Sequence, residues 1–248
     1  VRGSATGSVG VVTGHSAMYR AHACVPGTRN KPMPCQFHAH IPELADNLTR
    51  LFSRATSADI NDGEAWYPNA RRIVREWATA YAYHDATVSC VIAAISPQID
   101  WPRNLIIADD VLAGRPPSIG GCIRLNITKA QRLRDDTTML TCSVGVRMMT
   151  VFPYGPKVTS FAMNLDGDET AVTVDGHAMQ AALNDVKADY RLGWKPYMCF
   201  ASAYELAAKR AGVSTPTFQA IIWHTWKRLY PRMRKHQLRK RWEAIGEY

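Results

Sequence analysis

Apolar residues recur at helical spacing along most of the 248-residue chain. Ile41, Leu44, Ala45, Leu48, Leu51 and Phe52 fall three and four apart, which predicts an amphipathic helix from Ile41 to about Ser53, with Pro42 tolerated in its first turn. Asn69 to Tyr83 repeats the pattern, with Ile73, Val74, Trp77, Ala80 and Tyr81 as the apolar stripe and Arg71, Arg72 and Arg75 mostly opposite. Val88 to Ile95 is apolar almost throughout and ends at Ser96-Pro97, because the residue before a proline is pushed out of the helical region. Asn104 to Leu112 predicts another helix, stopped by Gly114-Arg115-Pro116-Pro117, and shorter patterns predict helices over Thr128–Arg134 and Ser143–Val151. After the break Pro153-Tyr154-Gly155-Pro156, helix resumes over Lys157–Leu165. The chain then turns at Asp166-Gly167-Asp168-Glu169 and runs extended from Thr170 to Val174. It returns to helix over Gly176–Leu183, Tyr197–Ala211 and Thr217–Tyr230. With no strand–helix alternation and no internal repeat, the expected class is all-α, mostly helical.

Composition narrows this little: 46% hydrophobic and 21% charged residues suit a globular chain that can bury a real core. No apolar run approaches the twenty residues that span a bilayer, so a membrane is not an expected partner. Charge says more. Thirty Lys and Arg against twenty-one Asp and Glu give a net charge of +9, which favours an anionic partner. The stretch from Leu206 to Trp242 holds ten of those cations and no acid, interleaved with Trp223, Trp226, Tyr230 and Trp242. That mixture fits a nucleic-acid backbone, with Lys227 and Arg228 among the candidate contacts; the plainer alternative is a solvated helix face over core aromatics.

The six cysteines are scattered, and none forms a C-x-x-C pair, so neither a zinc ribbon nor a redox motif is expected and a reducing cytoplasm is the expected home. Residues 1–38 read as an irregular or flexible segment without the apolar core of a secretory signal. His22, Cys24, Cys35, His38 and His40 have the chemistry of tetrahedral zinc ligands, but their spacing matches no zinc module; an irregular loop is the expectation, and no metal or cofactor is assigned.

Three short motifs carry chemistry. Gly155-Pro156-Lys157 opens a helix after a tight break, Val174-Asp175-Gly176-His177 places an acid before another helix, and Ile95-Ser96-Pro97-Gln98 precedes Trp101 and Asn104. Together they resemble the helix-hairpin-helix DNA glycosylases of the endonuclease III type, whose hairpin ends Gly-x-Gly-x-Lys and whose later motif reads Val-Asp-x-His. The resemblance covers roughly Thr87 to Gln180. Pro153 stands where the first hairpin glycine would be, Gln180 replaces a frequent arginine, and only Cys199 lies beyond Cys142, so the family's four-cysteine iron–sulfur loop is missing. The combination looks closer to a phage-associated branch that includes the α-glutamyl/putrescinyl-thymine pyrophosphorylase-like proteins and the amino acid:DNA transferases.

The resemblance implies a bilobal fold over about residues 39–248, with one lobe and its hairpin near 88–165, the second built from 39–87 and 166–248, and the active site in the cleft between them. It implies a monomer, in a bacterial or phage-infected cell, acting on double-stranded DNA with a flipped base. Asp175 would be the catalytic carboxylate and Lys157 an amine nucleophile for abasic-site lyase chemistry. Gln98 would fill the gap left by the base, Trp101 would stack on it, and Asn104, Gly155 and His177 would complete the DNA and base contacts. Each has a plainer reading: Asp175 as a helix cap, Lys157 as a phosphate contact, His177 as a structural hydrogen-bonder and Trp101 as core. The expected activity is excision of a modified pyrimidine, with hypermodified and glucosylated forms among the expected substrates, in anti-phage defence. The alternatives are transfer of an amine or amino acid onto an activated pyrimidine in DNA, and DNA binding without catalysis.

Overall fold

The computed structural model describes residues 40–136, 155–188 and 192–231. Among the described residues every regular element is an α-helix: α1 Ile41–Phe52, α2 Ser57–Tyr81, α3 Asp85–Ile95, α4 Trp101–Leu112, α5 Arg124–Asp135, α6 Pro156–Asp166, α7 Gly176–Leu183, α8 Trp194–Ala211 and α9 Thr215–Leu229. The helix expected over Ser143–Val151 and the break at Pro153 lie outside them. So do His22, Cys24, Cys35 and His38, and every cation from Arg232 onward.

The largest departure from the sequence pattern is α2, which begins at Ser57 and not at Asn69. Thr56 and Asp59 form a capping box: the threonine hydroxyl accepts from the Asp59 N–H while the Asp59 carboxylate accepts from the Thr56 N–H, so two otherwise orphaned donors are satisfied. The helix then runs through Gly63 and Pro68, the two residues that most argue against it. Gly63 has a packing reason. A Cβ there would lie 2.6–2.7 Å from the backbone N and Cα of Ile221 in α9, so only glycine lets the two helices approach this closely.

Packing sorts the helices into two groups. α3 lies against α4, α5 and α6, whereas α1 packs on α7, α8 and α9. α2 joins them, since it packs on α9 and also on α3 and α6. The first group centres on α3, in which Val88, Val91, Ile92 and Ile95 have lost all solvent contact. That explains why its sequence is apolar all round and lacks a stripe. The second group buries Leu48, Met179, Phe200, Tyr204, Phe218 and Trp226, with Phe52 stacked on Phe218 at 5.1 Å. No described helix is long and apolar enough to cross a membrane. Cys90 and Cys122 are free thiols; Cys199 is disulfide-bonded, which the scatter of single cysteines gives no reason to expect.

The run before Asp175 is extended, as the sequence suggests, but it pairs with no described strand. Side chains satisfy its backbone instead. Tyr197 donates its hydroxyl to the Val172 carbonyl at 2.6 Å and accepts from the Val174 N–H at 2.9 Å. Asn164 donates to the carbonyls of Asp168 and Ala171 at 3.0 and 2.8 Å, and Asp168 caps the turn by accepting from the N–H groups of Thr170 and Ala171. The acid that follows is thereby held between α6 and α8.

Two stability predictions follow from this packing. Gly63→Ala should destabilise the protein by roughly 1–3 kcal/mol despite the higher helix propensity of alanine, because backbone atoms of α9 must move; chemical denaturation checks this. The second concerns Asp166, whose carboxyl is pushed up from the usual 3.8 to about 6, first by burial and then by Asp85 and Asp168. It also sits at the C-terminal end of α6, where the helix dipole disfavours negative charge. A raised acid penalises the folded state only where it is ionised. Asp166→Asn should therefore raise stability above pH 6, by on the order of 1 kcal/mol after screening, and leave it unchanged below about pH 4.

Candidate functional site

Five of the side chains expected to act together line a single pocket of about 350 Å³: Lys157, Asp175, Trp101, Asn104 and Lys227. They arrive from α4, α6, α9 and the extended run before α7, and so from both packing groups. Helix starts deliver three of them. Trp101 is the first residue of α4, behind the N-cap Asp100, which accepts from the Arg103 N–H at 3.1 Å. Lys157 follows Gly155 and Pro156 at the start of α6. Asp175 is the N-cap of α7, accepting from the Ala178 N–H at 2.8 Å. The plainer reading of Asp175 as a cap is thus correct in geometry, and it does not compete with a role in the pocket. The cap occupies Oδ1 and fixes where the carboxylate sits.

The pocket walls are aromatic beyond what the motifs reveal. Phe161, Trp101, Trp66 and Trp223 form a continuous ribbon, with successive ring centroids at 6.3, 5.3 and 5.7 Å. Lys227 lies one turn after Trp223 in α9 and folds back so that its ammonium sits 3.7 Å above the indole, a close cation–π contact. His177 is buried and meets the Trp223 ring edge-on at 6.4 Å. It therefore supports the wall and does not itself border the pocket.

Beneath the aromatics lies a buried polar layer. Tyr67 directs its hydroxyl toward Gln219 Oε1 at 3.2 Å, and toward Asn164 Oδ1 and Thr173 Oγ1 at 3.4 Å. Thr173 donates to the same Asn164 oxygen at 2.9 Å. Tyr67, Thr173 and Gln219 all border the pocket. Burial, and secondarily the Asp175 charge, pushes the Tyr67 phenol well above its ordinary range, so it stays a hydrogen-bond donor. Of this layer, the sequence signals nothing for Tyr67 or Gln219, which lie on helices where their spacing is that of ordinary core residues.

A second, smaller pocket of about 240 Å³ lies at the start of α6, bordered by Pro156 and Val158, and shares Lys157 and Asp175 with the first. Gly155 borders this one. Two expected residues stand elsewhere. Gln98 is exposed, in the left-handed region at φ +65°, on the loop whose neighbours Ser96, Ile99 and Asp100 line the larger pocket. Arg228 turns away to hydrogen-bond Asp59 and the Arg54 carbonyl, each at 2.8 Å. Of the Cys/His set, His40 is within the described residues, 3.2 Å from Glu43.

An aromatic wall, two lysines, two capping carboxylates and a buried amide layer thus meet in one pocket, and every described element around it is an α-helix. The chain belongs to the family of unknown function DUF7178, whose pattern matches residues 35–229 and so takes in the whole of this site. No curated protein and no solved structure matches it.

Arg228 has a structural role that can be separated from binding. Burial pulls the Asp59 carboxyl up, but hydrogen bonds from Arg228 and Thr56 outweigh this and hold it below its ordinary range. Arg228→Ala should lower stability at neutral pH. The loss should fade as pH falls into the carboxylate range and Asp59 protonates, with denaturation midpoints across pH as the measurement.

Proposed function

We propose that this protein is a base-flipping DNA glycosylase that excises a modified pyrimidine and leaves an abasic site. The observation that carries the reading is the convergence of Asp175 and Lys157 on one aromatic-walled pocket. Breaking the N-glycosidic bond builds positive charge on the sugar, and a carboxylate fixed by its cap stabilises that charge without having to reorganise. Water adds across the bond, its hydroxyl going to C1′ and its proton to the departing base. Where Lys157 attacks C1′ in place of water, the base leaves in the same way and the sugar remains as a Schiff base that borohydride reduces. The indoles of Trp66, Trp101 and Trp223 suit a base taken out of the stack, since every base has a π-face. The exposed Gln98 suits the gap that base leaves, and Lys227 at the pocket edge suits a backbone phosphate. Separate packing of α3–α6 and of α1 with α7–α9 supports a site between two lobes. On this reading the protein works as a monomer in the cytoplasm of a bacterial or phage-infected cell, in anti-phage defence.

Transfer of an amine or amino acid onto an activated pyrimidine is a second reading, favoured by the smaller pocket that shares Lys157 and Asp175 and offers room for an incoming group.

Asp175→Asn is the informative variant, because asparagine caps a helix as well as aspartate and the fold should survive. Released bases measured by mass spectrometry on DNA carrying hydroxymethylated or glucosylated pyrimidines should fall at least a hundredfold, with DNA affinity nearly unchanged. A fully active mutant sinks the assignment of Asp175. Borohydride should trap a protein–DNA adduct that Lys157→Ala loses; an unbroken glycosidic bond with a base that gains mass moves the reading to transfer.

A further inference from the structure

The cap ties the Asp175 carboxylate to α7, but it does not set where the start of α7 lies relative to Lys157. The extended run from Thr170 to Val174 leads into that point, and it pairs with no described strand. In an extended chain the carbonyl of one residue and the N–H of the residue two further on point to the same side, and a neighbouring strand would take both. Here the Tyr197 hydroxyl takes both. It donates to the Val172 carbonyl at 2.6 Å and accepts from the Val174 N–H at 2.9 Å, and Val174 is the residue before the acid. Tyr197 lies in the first turn of α8, buried in the core of the second packing group. It borders the smaller pocket together with Lys157 and Asp175.

Resting on the excision reading above, we infer that Tyr197 is a positioning residue for Asp175: its hydroxyl, acting through the backbone of Val174, sets where the carboxylate stands relative to the sugar carbon. Val172 and Val174 are buried, so without the hydroxyl their carbonyl and N–H lose a partner where water does not reach. The run must shift to find new partners, and the acid one peptide away shifts with it. A displacement of about 1 Å at a reacting group costs on the order of 100-fold in rate. Tyr204 provides the contrast. It is fully buried in the same helix, and its hydroxyl donates to the Ala178 carbonyl at 3.0 Å. Ala178 lies inside α7, however, where the helix's own hydrogen-bond ladder holds the backbone. Losing the Tyr204 hydroxyl removes a buried bond of the same kind without releasing the run that carries the acid.

The test uses the full chain in single-turnover assays on duplexes that carry 5-hydroxymethyl or glucosylated 5-hydroxymethyl pyrimidines. Mass spectrometry reports released base, and anisotropy of labelled DNA reports affinity. Tyr197→Phe should slow release by at least about tenfold while affinity stays nearly unchanged. Tyr204→Phe should lower the denaturation midpoint and keep the rate within about twofold of wild type. In the Asp175→Asn background, Tyr197→Phe should slow release no further, because a residue that acts through the acid then has nothing left to position. A role in folding alone would slow release alike in both backgrounds. A Tyr197→Phe rate equal to wild type, a loss of the same size in the Asp175→Asn background, or an equal loss in Tyr204→Phe overturns the positioning role and leaves excision standing. No base released by the wild type from any of these duplexes overturns excision and this inference with it.

Discussion

The close crossing of α2 and α9 at Gly63 and Ile221 sets the geometry on which the pocket depends. α2 contributes Trp66 and Tyr67, and α9 contributes Gln219, Trp223 and Lys227. Their mutual distances are those of two helices in backbone contact. With any side chain at position 63 the axes must separate, the Tyr67–Gln219 bond lengthens beyond its present 3.2 Å, and Trp66 withdraws from Trp223. One missing Cβ thus holds together the aromatic wall and the polar layer beneath it. The Arg228–Asp59 pair reinforces the same contact from the end of α9, across the first turn of α2.

Trp101, Lys157 and Asp175 are brought to the pocket by a different device. Asp100, Gly155 and Asp175 are N-caps, and Trp101 and Lys157 fall within the first two residues of the helices that follow the first two of these caps. Helix starts have a defined geometry and partial positive charge, so they place side chains reproducibly and tolerate a carboxylate at low cost. Lys157 and Asp175 border both cavities, so a single pair of charged groups faces two adjoining spaces.

Much of this was legible in the sequence. Periodicity placed α1, α3, α4 and α6–α9 to within a few residues, because each is a short helix bounded by proline, glycine or a capping residue. It missed the first three turns of α2, where Gly63 and Pro68 read locally as breakers; the reason for Gly63 is Ile221, more than 150 residues away, which no local pattern records. The family resemblance singled out Asp175, Lys157, Trp101 and Asn104, and all four border the larger pocket. It found neither Tyr67 nor Gln219, since a polar residue on a mainly apolar helix face looks the same in sequence whether it closes a network or points at a ligand. Arg228 shows the converse, because a basic run does not reveal which of its cations the fold has already engaged.

The backbone of Gln98 adds a different kind of information. A non-glycine residue at φ +65° is held at an energetic disadvantage of about 1–2 kcal/mol relative to ordinary backbone, and glycine would remove it. The glutamine side chain there is exposed, so packing gives no return for that disadvantage. Folding alone would favour a smaller residue. That cost is carried at the loop between α3 and α4, whose neighbouring residues Ser96, Ile99 and Asp100 line the larger pocket.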